Sequence, residues 1–282
     1  MFADLTDVRC YYELLGTGDP LVLIPGLGAT CALWDSVTSD LSRSFSLILF
    51  DNRGLGRSIP RRSPQTLADL TVDIVELMDH LQIERAHVMG LSLGGIIAQQ
   101  VAVDHPSRVD RLVLVSCTNR FGPYLTEMAK LLGQALRHFP PEVFRRTIEL
   151  LGSAPEYLDA HADEIDEKIA MACDAGIARS AVARQLRCLG NRDVAEGPDY
   201  RITAPTLVVA GEQDMLIPAC YARRMAQEIP GSEFLLVRGC GHNPLYEKTE
   251  LVVPRVTEFL TRPRDGRHRK HEESQVAMEQ VV

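Results

Sequence analysis

Gly90, Leu91, Ser92, Leu93 and Gly94 form a GxSxG run between an apolar stretch, Ala86 to Gly90, and a helix-forming stretch from about Gly94 to Val103. In that position the pattern describes a serine held on a sharp strand-to-helix turn, because a glycine two residues to either side lets neighbouring backbone approach closely. Elsewhere the same five residues would be no more than a glycine-rich turn. A serine hydroxyl is a weak nucleophile at neutral pH. It needs a base to take its proton, and the base needs a carboxylate to fix its tautomer.

His242 is the best-placed base. It lies in Gly239, Cys240, Gly241, His242, Asn243, Pro244, directly after an apolar stretch ending at Val237. The other histidines, at 80, 87, 105, 138, 161, 268 and 271, fall in helical, strand or terminal contexts that suit surface or core roles. For the carboxylate, Asp214 follows the apolar run Leu207 to Ala210, with Glu212 as the competitor nearer the strand end. The chain order Ser92, Asp214, His242 suits three residues placed beyond the carboxyl ends of successive parallel strands. Acyl transfer also needs donors for a developing oxyanion. The backbone amides of Leu93, after the nucleophile, and of Leu27, in Pro25, Gly26, Leu27, Gly28, are available for it, although Gly26 and Gly28 alone describe only a turn.

The elements that must carry these residues alternate along the chain. Val8 to Leu14, Leu21 to Ile24, Phe45 to Phe50, Ala86 to Gly90, Val109 to Ser116, Thr206 to Ala210 and Phe234 to Val237 read as strands. Most are continuous apolar runs, as expected for parallel strands covered by helices on both faces. Helices are expected over the period Leu67, Leu70, Ile74, Leu77, over 94–103, over 219–229 and over 245–260. Past Asn119 no strand occurs until Thr206. Met128 to Leu136, Val143 to Leu151 and Glu164 to Cys173 read as helices, the first broken by Pro140 and Pro141. The division is thus a core of residues 1–119 and 201–262, a helical cap over 120–200, and a polar tail at 263–282 expected to be disordered. In the cap, Met128, Leu132, Leu136, Phe144 and Ile148 either pack on the core or line a substrate pocket.

Composition narrows the function classes. The chain has 282 residues, 45% hydrophobic and 24% charged, with a formal charge of −8 from 30 basic and 38 acidic side chains. Such a balance offers no extended basic field for nucleic acid. The basic cluster Arg262, Arg264, Arg267, Arg269, Lys270 is broken by Asp265, Glu272 and Glu273 and reads as a solvated tail. No spanning helix or signal peptide is legible, and seven scattered cysteines without a CxxC pair suit a soluble protein of the reducing cytoplasm. The third position of a dinucleotide fingerprint fails at Cys31 after Gly26 and Gly28, where no helix opens, and at Ile59 after Gly54 and Gly56. Walker, HExxH and EF-hand patterns do not occur, so no cofactor or metal is implied.

In its motif order over residues 8–260 the chain resembles the α/β-hydrolase superfamily. The run Asp51, Asn52, Arg53, Gly54, Leu55, Gly56, Arg57, Ser58 and the helical cap make it similar to the branch of 3-oxoadipate enol-lactonases, carboxylesterases and cofactor-free haloperoxidases. The resemblance implies an α/β-hydrolase fold with a mostly parallel sheet, a Ser92, His242, Asp214 triad, and an oxyanion hole from the Leu27 and Leu93 amides. Many members carry His at the place of Pro25, so a hydrogen bond from that His is missing here. The expected activity is hydrolysis of a carboxylic ester or lactone (the EC 3.1.1 class) through an acyl-enzyme, on a small-molecule substrate. Two alternatives share the residues: a ligand receptor with slow or single turnover, and a carbon–carbon bond hydrolase or perhydrolase.

Overall fold

The computed structural model describes residues 1–64, 66–174, 178–189, 201–263 and 277–281. Strands β1 (Phe2–Asp4), β2 (Val8–Leu15), β3 (Asp19–Ile24), β4 (Phe45–Phe50), β5 (Ile59–Pro60), β6 (Ala86–Leu91), β7 (Val109–Val115), β8 (Thr206–Gly211), β9 (Glu233–Val237) and β10 (Ala277–Val281) join in one sheet. Its order is β1-β2-β4-β3-β6-β7-β8-β9-β10, with β5 paired to β2. Every pairing from β4 to β10 is parallel, and β2 is antiparallel to β1, β4 and β5.

Helices are α1 (Asp35–Leu41), α2 (Leu67–His80), α3 (Leu93–Asp104), α4 (Pro123–His138), α5 (Pro141–Gly152), α6 (Pro155–Ala160), α7 (Ala162–Asp174), α8 (Arg179–Leu189), α9 (Ala219–Glu228), α10 (Pro244–Glu247) and α11 (Thr249–Thr261). Successive residues of a strand point to opposite faces, and here both faces are apolar. Val22 and Ile24 of β3 join Ile74, Ile97 and Met225 on one side of the sheet. Leu21 and Leu23 join Val37, Leu41, Val252 and Phe259 on the other. This double burial explains why the strands read as unbroken apolar runs.

The elements differ from the sequence reading in several places, among them the unexpected β1, β5, α6 and α8. A 3-10 turn at Cys31–Trp34 and α1 open just after Gly28, where no helix is expected; α1 is seven residues rich in Ser, Thr and Asp, with only Val37 and Leu41 buried. The single helix expected over 245–260 is two, α10 and α11, parted where Lys248 leaves helical geometry at φ −139° and ψ 47°. The end of the tail carries structure, since Ala277–Val281 pair in parallel with Glu233–Val237. A strand there covers the edge of β9. Tail residues 264–276 and 282, with Arg264, Arg267, Arg269 and Lys270 of the basic cluster, lie outside the described residues. So do 175–177 and 190–200 of the expected cap, whose described part holds α4 to α8 and no strand.

The loop after β4 is fastened by a buried ion pair. Arg53, with 1% of its side chain exposed, donates through Nε to Asp73 Oδ2 at 2.8 Å and through Nη2 to the other oxygen. It also donates to Asp7 and to the Arg62 and Asp69 carbonyls. Burial pushes the Asp73 carboxyl up to about 6, against the pull of Arg53. Replacing Arg53 by Met strands that carboxylate and is expected to cost about 3–5 kcal/mol at neutral pH. The loss should shrink as acid neutralises Asp73, because a protonated carboxyl is cheaper to bury. Urea denaturation across pH checks both statements, and a midpoint unchanged at neutral pH contradicts them.

Candidate active site

Ser92 sits between β6 and α3 with φ +57° and ψ −120°, a conformation that costs a side-chain-bearing residue on the order of 1–3 kcal/mol. The glycines around it are sterically required. A Cβ at Gly90 would overlap the Gly94 carbonyl, and one at Gly94 would overlap the Ile24 and Pro25 carbonyls at the end of β3. The turn is held by Ser92 N donating to Val115 O at 2.9 Å, and the Ser92 carbonyl accepts from Gly95 N and Ile96 N to start α3. The serine therefore stands at the N-terminus of a helix, at the carboxyl edge of the parallel sheet.

Asp214 and His242 lie beyond the carboxyl ends of β8 and β9, at the same edge. Asp214 is fully buried. Its Oδ1 accepts from the amides of Leu216 and Ile217 at 2.8 and 2.9 Å, and its Oδ2 lies 2.7 Å from His242 Nδ1. A carboxylate can only accept, so Nδ1 carries the proton and Nε2 keeps a lone pair. Burial works against the imidazolium, but attraction and hydrogen bonding from Asp214, with smaller help from Glu247 and Glu149, outweigh it and raise the His242 pKa above 6.5. Glu212 is exposed and accepts from Gly239 N at 3.2 Å, which occupies the competing acid elsewhere.

The Pro25–Ala29 loop touches the serine turn: a Cβ at Gly26 would stand 3.5 Å from Ser92 Cβ. Most of its polar groups are engaged. Pro25 O accepts from Asn52 Nδ2 at 3.3 Å, and Gly26 O accepts from Ala29 N at 3.2 Å. Gly28, at φ +65°, donates its N–H to Gln185 Oε1 at 2.8 Å and accepts at its carbonyl from Arg145 Nη2 at 3.3 Å. The Leu27 and Leu93 amides donate to no acceptor among the described residues.

Of the apolar candidates on the inserted helices, Leu136, Phe144 and Ile148 gather with Leu27 and Leu55, under Ala181 and Val182 of α8. Leu132 is buried and Met128 half-buried, both outside that cluster. Sequence reasoning missed Gln185 and Val182. Ala181, Val182, Gln185 and Cys188 do follow a helical period, but small and polar side chains make a faint apolar stripe. It also missed Glu247, whose buried carboxylate accepts from Gly241 N, Ala154 N and Asn243 N at 2.8, 3.1 and 3.4 Å. With His242 N donating to Gly152 O, these bonds tie the histidine loop to the end of α5. Among the described residues no group of three or more His, Cys, Asp and Glu side chains is arranged to hold a metal ion, and no helix is long and apolar enough to cross a membrane.

A sequence model of the alpha/beta hydrolase fold matches residues 19–249. The chain belongs to the α/β-hydrolase fold family. A curated relative from Caulobacter vibrioides, named "Putative carbamate hydrolase RutD", is 29% identical over 258 residues, covering 89% of this chain and 94% of its own. The enol-lactonase from Burkholderia xenovorans LB400 superposes with a TM-score of 0.82 at 25% identity, covering 93% of this chain and all of its own. A Mycobacterium tuberculosis structure titled "Putative non-heme bromoperoxidase BpoC" gives 0.80 at 28% identity, covering 90% and 96%. These likenesses support a hydrolase.

The electrostatics at His242 have a measurable consequence. Its imidazole should titrate above 6.5 in the folded protein, followed by the NMR shift of its ring protons. In Asp214→Asn the midpoint should fall below that value, because burial then acts with the main opposing charge removed. A midpoint that does not move would separate the histidine from Asp214.

Proposed function

We propose that this α/β hydrolase cleaves a carboxylic ester or lactone through an acyl-enzyme on Ser92, with His242 as base and Asp214 as its orienting carboxylate. The observation that carries the reading is the constrained Ser92 turn at the sheet edge shared with the Asp214–His242 pair, together with the Leu27 and Leu93 amides, which have no acceptor among the described residues. The inserted helices α4 to α8 act as a cap over this edge, and Leu136, Phe144 and Ile148 offer it an apolar wall.

In the first step Ser92 Oγ attacks the acyl carbon while its proton passes to His242 Nε2, and Asp214 stabilises the imidazolium through Nδ1–H. The oxyanion forms against the Leu27 and Leu93 amides, the latter reinforced by the N-terminal dipole of α3. Collapse expels the alkoxide, which takes the proton from His242. Water, deprotonated by the same nitrogen, then releases the acid and restores Ser92. The name carried by the curated relative extends the candidate acyl groups to carbamates, which the same attack would cleave.

Fluorophosphonate treatment followed by peptide mass spectrometry should place the adduct on Ser92. Ser92→Ala should abolish the label and lower kcat on p-nitrophenyl esters by roughly 10⁴-fold or more, and Asp214→Asn by about 10³- to 10⁴-fold. Graded p-nitrophenyl esters, lactones and aryl carbamates then rank the acyl classes. Absence of Ser92 labelling at every concentration, with no turnover of any of these, sinks the reading.

A further inference from the structure

The short helix α10 begins two residues after His242 and is met by several of the inserted helices. Tyr157 of α6 lies edge-on to Tyr246, with ring centroids 5.8 Å apart. Lys168 of α7 holds its ammonium 4.4 Å from the Tyr246 ring centre and pairs with Glu149 of α5 at 3.3 Å. The joint between α5 and α6 reaches further, to both ends of the Asp214–His242 pair. Leu151 O accepts from Met215 N at 3.3 Å, beside Asp214, and Gly152 O accepts from His242 N. A Cβ at Gly241 would overlap Gly152 O, so backbone meets backbone there.

Glu247 closes this joint. Its side chain is buried, and its Oε2 accepts from Gly241 N at 2.8 Å and Ala154 N at 3.1 Å, while Oε1 accepts from Asn243 N at 3.4 Å. Gly241 and Asn243 are the residues on either side of His242, and Ala154 belongs to the inserted helices. A neutral acceptor would satisfy these amides at a smaller desolvation cost than a carboxylate. Burial pushes the Glu247 carboxyl above its ordinary value against the pull of the three donors. What the charge adds is its field at His242, where it acts with Asp214 and with Glu149 of α5 in favour of the imidazolium. The other ionisable groups near Glu247 are Tyr157, Cys240 and Lys248; burial raises the Tyr157 hydroxyl and the Cys240 thiol well above their ordinary values, so both stay neutral.

We propose that Glu247 is a positioning residue for His242: it aligns the imidazole by clamping Gly241 and Asn243 to Ala154, and its charge stabilises the imidazolium that forms during turnover. The catalytic meaning rests on the hydrolase reading, whereas the clamp and the field do not.

The test separates charge from position. Glu247→Gln keeps an oxygen for the Gly241 and Ala154 N–H groups and removes the charge. In it the acid limb of kcat/KM on a p-nitrophenyl ester, and the NMR midpoint of the His242 ring, should both move to lower pH, because the imidazolium loses a stabilising anion. Glu247→Asp keeps the charge but is too short to span both amides. It should leave the limb near its wild-type position and lower kcat about 10- to 100-fold with KM little changed. Glu247→Ala should show both effects. A His242 midpoint that ignores Glu247→Gln, or a kcat that ignores Glu247→Asp, overturns the proposal. So does a lowered melting temperature in all three variants with unchanged pH profiles, which would assign Glu247 to stability alone. The ring titration needs no turnover. If Ser92 is not labelled and no ester is cleaved while the His242 midpoint still falls in Glu247→Gln, the hydrolase reading fails and the link between Glu247 and His242 stands.

Discussion

The constraint on which the site depends is the approach of backbone to backbone at Gly94, where the start of α3 runs against the Ile24 and Pro25 carbonyls with no space for a side chain. That contact fixes three things together. It sets the turn at Ser92, with its positive φ; it aims the α3 N-terminus along the carboxyl edge of β6; and it brings the Pro25–Ala29 loop against the serine. The strain at Ser92 is sustained because both flanks are over-determined, by the Gly90–Gly94 contact on one side and the Ser92 N to Val115 O hydrogen bond on the other. The site is thus a by-product of how tightly a helix enters a parallel sheet.

A second layer of dependence runs from the inserted helices into the core. α5 and α8 hold Gly28 by its carbonyl and its N–H, while the end of α5 accepts the His242 amide and shares Glu247 with the histidine loop. Both the Pro25–Ala29 loop and the histidine loop are therefore registered against α5. Such coupling means that movement of α5 would disturb two parts of the site at once. Its carriers are backbone groups and two buried polar side chains, which resist small displacements because an unmatched partner in a dry interior is costly.

Strands β3, β4, β6, β7, β8 and β9 were legible because burial on both faces removes polar alternation and leaves runs such as Leu21 to Ile24. Ser92, Asp214 and His242 could be read for a related reason: each follows a strand end and sits in a glycine-marked or acidic turn with little else to do. Gln185, Arg145 and Glu247 left no such mark. Their roles arise where separate elements meet, 157 positions apart for Gln185 and Gly28 and 93 for Ala154 and Glu247. A glutamine on a short helix with small neighbours has the same local appearance whether it faces water or a buried amide. α1 and β10 escaped notice because their stability comes from the sheet face or edge they cover, not from a strong period of their own.

His242 and His87 share a kind of pairing but differ in position. Both histidines face a buried aspartate through Nδ1, His242 at 2.7 Å from Asp214 and His87 at 3.5 Å from Asp110. His87 lies near the amino end of β6, 2% exposed and edge-on to Phe45. That end of β6 is opposite the one that leads into the Ser92 turn. At the opposite end, loops leave β6, β8 and β9 in the same direction, and the glycine-permitted turn at Ser92 opens a helix N-terminus toward them. On the proposed reading, a histidine and an aspartate serve as base and anchor only where the direction of the strands places them at the same sheet edge as the serine turn.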